Sequence, residues 1–435
     1  MADAHAADLL QRLRAAGAAT SKELQAATGS SQPTVSRALA PLLTRGEALR
    51  VGRGRNQAYV VPRPVTGVDS PSIPVLKVDA DGHSSNFGTL IPTTGGRFWM
   101  EEEQGPSRLH GGLPWFIADM RPQGFLGRSF AHAHAKLGFT ANPAQWTDDD
   151  VLRALCNAGD DLPGNLIIGN TSFERFMHAT AQQRVAPPEY SQLADAAMQG
   201  ALPGSSAGGD QPKFCAVRKD GKSVIVKFSP ASTSEVDVRW ADLLVCEHIA
   251  LDVLLQSGIP AARSRIFQGQ GRMLLEVERF DRTARGRIGM VSLLSYDSEY
   301  VGKIDNWAAA AGRMLSRGLM TAEDAQRLCL LEAFGQLIAN TDRHYGNVSL
   351  LIGDNGKWQL APAYDMLPML YAPLAGELVM REFNPAALAP TPDTLRAWST
   401  AQALARRFWQ TVAKDSRLSD AFRRVAAEHS KRLAA

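Results

Sequence analysis

Residues 340–351 read NTDRHYGNVSLL, and they join an apolar helical run, LCLLEAFGQLIA, to a strand-like VSLLI. An amide, a carboxylate, a guanidinium, an imidazole and a second amide are packed into that corner. Alone, it is compatible with a polar turn. Asp342 and Asn347 are five residues apart, and Asp365 follows in LAPAYDMLPM. Between them VSLLIG, the turn DNGK and WQLAPAYD make one hairpin's length, which predicts that Asp365 returns beside Asn347. The result is an oxygen-rich corner suited to Mg2+. A carboxylate to orient a hydroxyl, with an amide and a second carboxylate to hold metal, is what phosphoryl transfer requires.

Upstream, KSVIVKFSP places Lys227 between Val226 and Phe228 on an apolar strand. A buried ammonium needs an anion, either a phosphate or a helix carboxylate. The predicted helix 235–258 offers Glu247 at its middle. Before this strand, GSSAGGDQPKF is a small-residue loop whose amides could approach an anion, although no Gly-Lys-Ser/Thr follows. RMLLEVERFDR, 272–282, reads as a strand ending at a hinge able to pair with an adenine edge, followed by an acid for ribose hydroxyls.

In this order the motifs resemble the HipA family, bacterial Ser/Thr kinases acting as toxins of toxin–antitoxin systems. The Asp-Arg-His order is similar to phosphatidylinositol-kinase-like enzymes, and LPWFIADMRPQGFLGR adds to the resemblance, which spans roughly residues 70–435. The resemblance implies ATP and Mg2+ as cofactors, with Asp342 as catalytic base and Asn347 and Asp365 as metal ligands. It places Lys227 on the ATP phosphates and Gly208, Gly209, Asp210, Gln211 and Lys213 in the phosphate-side loop. It sets Glu278 and Phe280 backbone at adenine, Asp281 at ribose and His344 at nucleotide, unless His344 caps its own loop. Ser205 or Ser206 matches the serine that such kinases autophosphorylate, and an aminoacyl-tRNA synthetase is the implied target. Two features depart from the family pattern: YDMLPM lacks the Phe-Gly of ordinary kinases, and Pro212 stiffens the loop.

The chain has 435 residues, so two or three domains are expected, and 45% apolar with 21% charged residues marks a globular protein. No segment has the ~18–20 uninterrupted apolar residues of a membrane helix. The opening MADAHAADLLQRLR lacks the basic start of a signal peptide. Cys156, Cys215, Cys246 and Cys329 are scattered, which argues against structural zinc or a disulfide framework. A cytoplasmic protein, nucleoid-associated when on DNA, is expected.

Residues 1–63 carry nine Lys/Arg against four Asp/Glu, while the remainder has 38 against 40. The basic excess predicts a polyanionic partner for this module. A helix over 5–16, a Thr20–Glu23 capping box and an apolar stripe of Val35, Leu39, Leu42 and Leu43 are followed by EALRVGRGRNQAYVV, two strands around a basic tip. This resembles a winged helix-turn-helix of bacterial regulators. The resemblance implies double-stranded DNA contacted by Gln32, Thr34, Ser36 and Arg37 on the third helix and by Arg53 and Arg55 on the wing. Pro41 is expected to end or kink that helix near Ala40, since a helical interior Pro costs ~3 kcal/mol.

The expected fold is α+β: a two-lobed HipA-like kinase, mixed β N-lobe and helical C-lobe, preceded by a winged helix-turn-helix. Expected boundaries are 1–63 for the DNA-binding domain, 64–80 for a Pro/Ser-rich linker, 81–285 for the N-lobe and 286–435 for the C-lobe. His132 and His134 lie roughly 200° apart on a helix, so no shared metal is expected. The tail places Leu395, Trp398, Ala401, Ala405 and Phe408 on one apolar face. A homodimer is compatible with the sequence. Two other readings stay open: a DNA-binding transcriptional regulator with a degenerate nucleotide-sensing kinase fold, and a metal-dependent DNase built from Asp342, His344 and Asp365.

Overall fold

The computed structural model describes residues 2–178, 184–199, 211–353, 356–379 and 381–433. The chain forms two compact units: Met1–Arg121 with His134–Ala179, and Pro122–Ala133 with Thr180–Ala435. The fold is α+β.

The first unit opens with α1 (Ala2–Ala16), β1 (Ala18–Ala19), α2 (Ser21–Thr28) and α3 (Gln32–Thr44), then the hairpin β2 (Leu49–Val51) and β3 (Ala58–Val60). Thr20 and Glu23 close the capping box at α2, and Gly29 ends it in the left-handed conformation, φ +64°. Leu9, Leu13, Leu24, Val35, Leu39 and Leu42 form the core of this head. Contrary to expectation, α3 runs through Pro41 to Thr44. Pro41 removes one helical hydrogen bond, but Leu39 and Leu42 on either side are buried and hold the last turn in place.

The same unit contains β4 (Ile73–Val78), β5 (Ser84–Thr93), β6 (Arg97–Glu102), β7 (Ser107–His110), α4 (Trp115–Ala118) and, after an excursion into the second unit as α5 (Gly124–Ala133), α6 (Asp148–Ala158), β8 (Leu166–Ile168) and α7 (Asn170–His178). The five strands order as β7-β6-β5-β4-β8, all antiparallel. β4 opens at Ile73, inside the stretch expected to be linker. Ile73, Val75 and Val78 are buried, so this Pro-containing segment carries an apolar face that needs a sheet. The stretch 81–285, expected as one lobe, is divided between the two units.

The second unit holds β9 (Arg184–Val185), α8 (Tyr190–Gln199), β10 (Lys213–Arg218), β11 (Ser223–Phe228), α9 (Glu235–Gln256), β12 (Ser264–Gly269) and β13 (Arg272–Glu278), with sheet order β12-β13-β11-β10-β9. One face of this sheet buries Phe214, Val224, Val226, Phe228 and Leu274 with Tyr190 of α8. β14 (Met290–Ser292), α10 (Leu293–Tyr300), α11 (Trp307–Ser316), α12 (Ala322–Leu337), β15 (Ser349–Ile352), β16 (Trp358–Leu360), α13 (Trp398–Lys414) and α14 (Asp420–Arg432) complete it. The hairpin expected after the Asp342 loop is present, pairing Leu350 with Leu360. Trp398, Ala401, Ala405 and Phe408 are buried, but Leu395 is 62% exposed because it lies in a short 3-10 turn ahead of α13. Among the described residues no helix is long and apolar enough to cross a membrane.

Candidate active site

Strand alternation decides where Lys227 points. Val226 and Phe228 enter the core under α8, so Lys227 faces the opposite side of the sheet. There its ammonium donates to both carboxylate oxygens of Glu247, at 2.7 and 2.8 Å, and to Asp365. Glu247 sits on α9, a helix buried over most of its circumference, and is itself 1% exposed. Burial pushes the Glu247 carboxyl up. For Asp365 burial acts in the same direction, but the charges of Lys227 and Lys213 overcome it and hold the carboxyl down at about 2. The two carboxylates keep Lys227 protonated despite its burial. Lys213 is the cross-strand partner of Lys227 in β10. Asp365 adopts φ +52°, a left-handed conformation that few side chains take without support.

Asp342, by contrast, keeps its carboxylate half exposed. Its backbone is fixed: the Asp342 amide donates to Asn340 Oδ1 at 3.0 Å, and Asn347 Nδ2 donates to the Asp342 carbonyl at 2.9 Å. Asn340, fully buried, also donates to the Asp365 carbonyl at 3.4 Å, and the Tyr364 hydroxyl donates to the Gly346 carbonyl at 3.1 Å. The hairpin therefore does return Asp365 to the Asp342–Asn347 loop. His344 caps its own loop, Nδ1 accepting from the Gly346 amide at 3.0 Å.

Residues with no assigned role in the sequence hold this loop in place. Arg343 Nε donates to Glu332 Oε1 at 3.0 Å, and Glu332 is 2% exposed on α12. Gly335 leaves the room for it, because a Cβ there would lie 2.5 Å from Arg343 Cδ. Tyr345 is buried and donates to Asp305 Oδ1 at 2.8 Å, while Trp307 Nε1 donates to the His344 carbonyl at 3.0 Å. The available signals were a lone carboxylate in the apolar LCLLEAFGQLIA run and an aromatic ring inside a polar loop.

The hinge expectation is corrected in part. Asp281 is 3% exposed, and its carboxylate is taken by Arg279, at 2.9 and 3.0 Å, and by Arg282 at 2.7 Å, so it is not turned out to a ribose. The Glu278 amide donates to the Arg263 carbonyl, and its side chain pairs with Arg218 and Lys222. The Phe280 ring lies 5.6 Å from that of Tyr364. Gln211 donates to the Phe228 carbonyl. Ser205, Ser206, Gly208, Gly209 and Asp210 lie outside the described residues.

For a divalent metal the donors are hard oxygens: the Asp365 carboxylate and the Asn347 amide oxygen. Among the described residues no group of three or more His, Cys, Asp or Glu could hold a metal. The set fits Mg2+, which is commonly bound by one or two carboxylates completed by phosphate and water. Asp365 already draws a cation, the Lys227 ammonium.

In the head, Gln32, Ser36 and Arg37 are exposed on α3, whereas Thr34 is half-buried and shares a hydrogen bond with Ser31 at 3.0 Å. Arg53 is turned onto Glu103, at 2.8 Å. The Arg55 side chain lies outside the described residues.

Comparison with known proteins agrees with this architecture. A family model described as HipA-like C-terminal domain matches residues 205–433, and one described as YjjJ-like toxin, middle domain, matches residues 69–177. Toxin YjjJ of Escherichia coli (strain K12) is 36% identical over 433 residues, covering 96% of this chain and 95% of that protein. A chain from the Shewanella oneidensis MR-1 toxin–antitoxin complex of HipA, HipB and operator DNA is similar with a TM-score of 0.54, covering 82% of this chain and 95% of that one. At 15% identity that likeness concerns the fold. With a HipA-like domain over more than half its length and a full-length relative among these toxins, the chain belongs to the HipA-like toxin family.

Proposed function

We propose that this protein is an ATP- and Mg2+-dependent serine/threonine protein kinase of HipA type that phosphorylates its own Ser205 or Ser206. The observation that carries the reading is Lys227, bonded to both Glu247 and Asp365 beside a loop that offers an exposed Asp342. Lys227 orients the nucleotide phosphates, and Glu247 keeps it charged and aimed. Asp342 accepts the proton of the attacking hydroxyl, and the oxygen of Asn347 and the Asp365 carboxylate hold the metal. Bound Mg2+ supplies charge neutralisation across the transferring phosphates. Family likeness supports an aminoacyl-tRNA synthetase as external target. The exposed α3 residues Gln32, Ser36 and Arg37 support double-stranded DNA as a second partner.

The test is mass spectrometry of the purified protein after incubation with ATP and Mg2+. The expected result is phosphate on Ser205 or Ser206, reduced about 10²- to 10⁴-fold in Asp342→Asn, as for loss of a general base. A wild type that neither binds ATP nor labels itself or any lysate protein would sink the kinase reading.

A further inference from the structure

The wing of the N-terminal head packs its strands on the five-stranded sheet, while Arg53 at its tip stays exposed. Val51, Ala58 and Val60 of β2 and β3 are buried in one cluster with Ile91 and Trp99 of the five-stranded sheet. At the tip, the Gly52 amide donates to Glu101 Oε2 at 2.9 Å, and Arg53 Nη2 donates to Glu103 Oε2 at 2.8 Å. Arg53 Nε also lies 4.0 Å from Glu101 Oε1, and Asn86 steadies Glu103 at 3.4 Å. The far end of the head is fastened too. Arg97 donates to the carbonyls of Arg14, Ala15 and Ala16, at 2.7–3.1 Å, closing the C-terminus of α1.

From this we infer that the DNA interface of the head is the exposed face of α3 without Arg53, because β6 and the Glu103 that follows it hold the wing tip and pair its arginine. This rests on the DNA-binding reading of residues 1–63. An ion pair as exposed as Arg53–Glu103 is weak, and a phosphate could displace it. The tip is also held through its backbone and its apolar side, which cannot be exchanged for phosphate contacts. The carboxylates of Glu101 and Glu103 offset the charge of Arg53 and so weaken its pull on a polyanion. The wing therefore works as an internal anchor, and base or phosphate contacts fall to Gln32, Ser36 and Arg37.

The experiment is duplex-DNA binding by the full-length chain, read by fluorescence anisotropy over a series of salt concentrations. Arg53→Ala in the wild type is expected to bind within twofold of wild type, with an unchanged salt slope. Glu101→Gln/Glu103→Gln is expected to bind about tenfold tighter at low salt, with the slope steeper by about one phosphate contact. Adding Arg53→Ala should abolish that gain. Thermal melting of each variant separates these effects from unfolding, and the amide side chains keep the shape of the acids they replace. A fivefold or greater loss of binding in Arg53→Ala alone, with a shallower salt slope, overturns the inference while leaving DNA binding intact. Absence of binding by wild type and the Glu101/Glu103 variant alike, on mixed-sequence duplex at low salt, overturns the DNA reading itself.

Discussion

Two buried charge clusters in the second unit have opposite stoichiometry. At Lys227 one ammonium faces two carboxylates, Glu247 and Asp365; at Asp281 one carboxylate faces two guanidinium groups, Arg279 and Arg282. The first cluster draws its members from a strand, a helix and a loop, with Lys213 close by, and includes a residue with left-handed backbone, Asp365. In the second, the carboxylate is engaged by arginines one and two residues away. A site that joins a strand, a helix and a loop and combines carboxylates with lysines is suited to receiving a cation and a phosphate. A local one shapes a turn. The difference separates chemistry from scaffolding better than the mere presence of buried charge does.

The largest effect is expected at the first cluster. Lys227→Met removes the ammonium bonded to Glu247, and urea unfolding should show a loss of about 3–5 kcal/mol. ATP-dependent labelling should vanish with it. Lys227→Met/Glu247→Leu replaces the buried pair by apolar groups and should recover most of the stability, since such replacements are often neutral. Labelling should stay absent. A Lys227→Met protein that unfolds like the wild type would remove the basis for treating this cluster as a coupled centre.

A smaller effect, about 3 kcal/mol or less, is expected for Asp281→Asn, which leaves Arg279 and Arg282 without their shared acceptor. Unfolding should shift while the KM for ATP stays within twofold. The reverse pattern, a raised KM with unchanged stability, would return Asp281 to the ribose role that its position after the hinge suggests.

The pairing most legible in the sequence was of polar side chains in apolar settings. Lys227 stood in a buried strand and Glu247 in an apolar helix, whereas Asp342 and Asn347 stood out by their spacing at a helix–strand corner. Burial forces such groups to find partners, so their meeting could be anticipated. Asp281 was less legible because its partners are its own neighbours, and ERFDR does not reveal which charge closes on which. Pro41 misled for a related reason. Proline reports local cost, whereas Leu39 and Leu42 in α3 report burial that outweighs it. The contacts of the wing tip were not legible because its partners, Glu101 and Glu103, lie about fifty residues away, beyond any local pattern.

The smallest expected effect concerns acid. Asp365 is held down at about 2 against an ordinary value of 3.8. Between those values the unfolded chain binds more protons than the folded one, so stability rises with pH. Its contribution is fully present above about pH 4 and is lost as pH falls toward 2, on the order of 2 kcal/mol at most. Glu247, pushed up by burial, works against this: the folded state retains its proton more readily, and that contribution weakens as pH rises past the ordinary glutamate value. Urea midpoints measured from pH 2 to 6 should therefore show a shallower acid limb in Asp365→Asn and a steeper recovery in Glu247→Gln. Identical limbs in wild type and Asp365→Asn would mean that Lys227 does not hold Asp365 ionised, and the contrast with the Asp281 cluster would then rest on geometry alone.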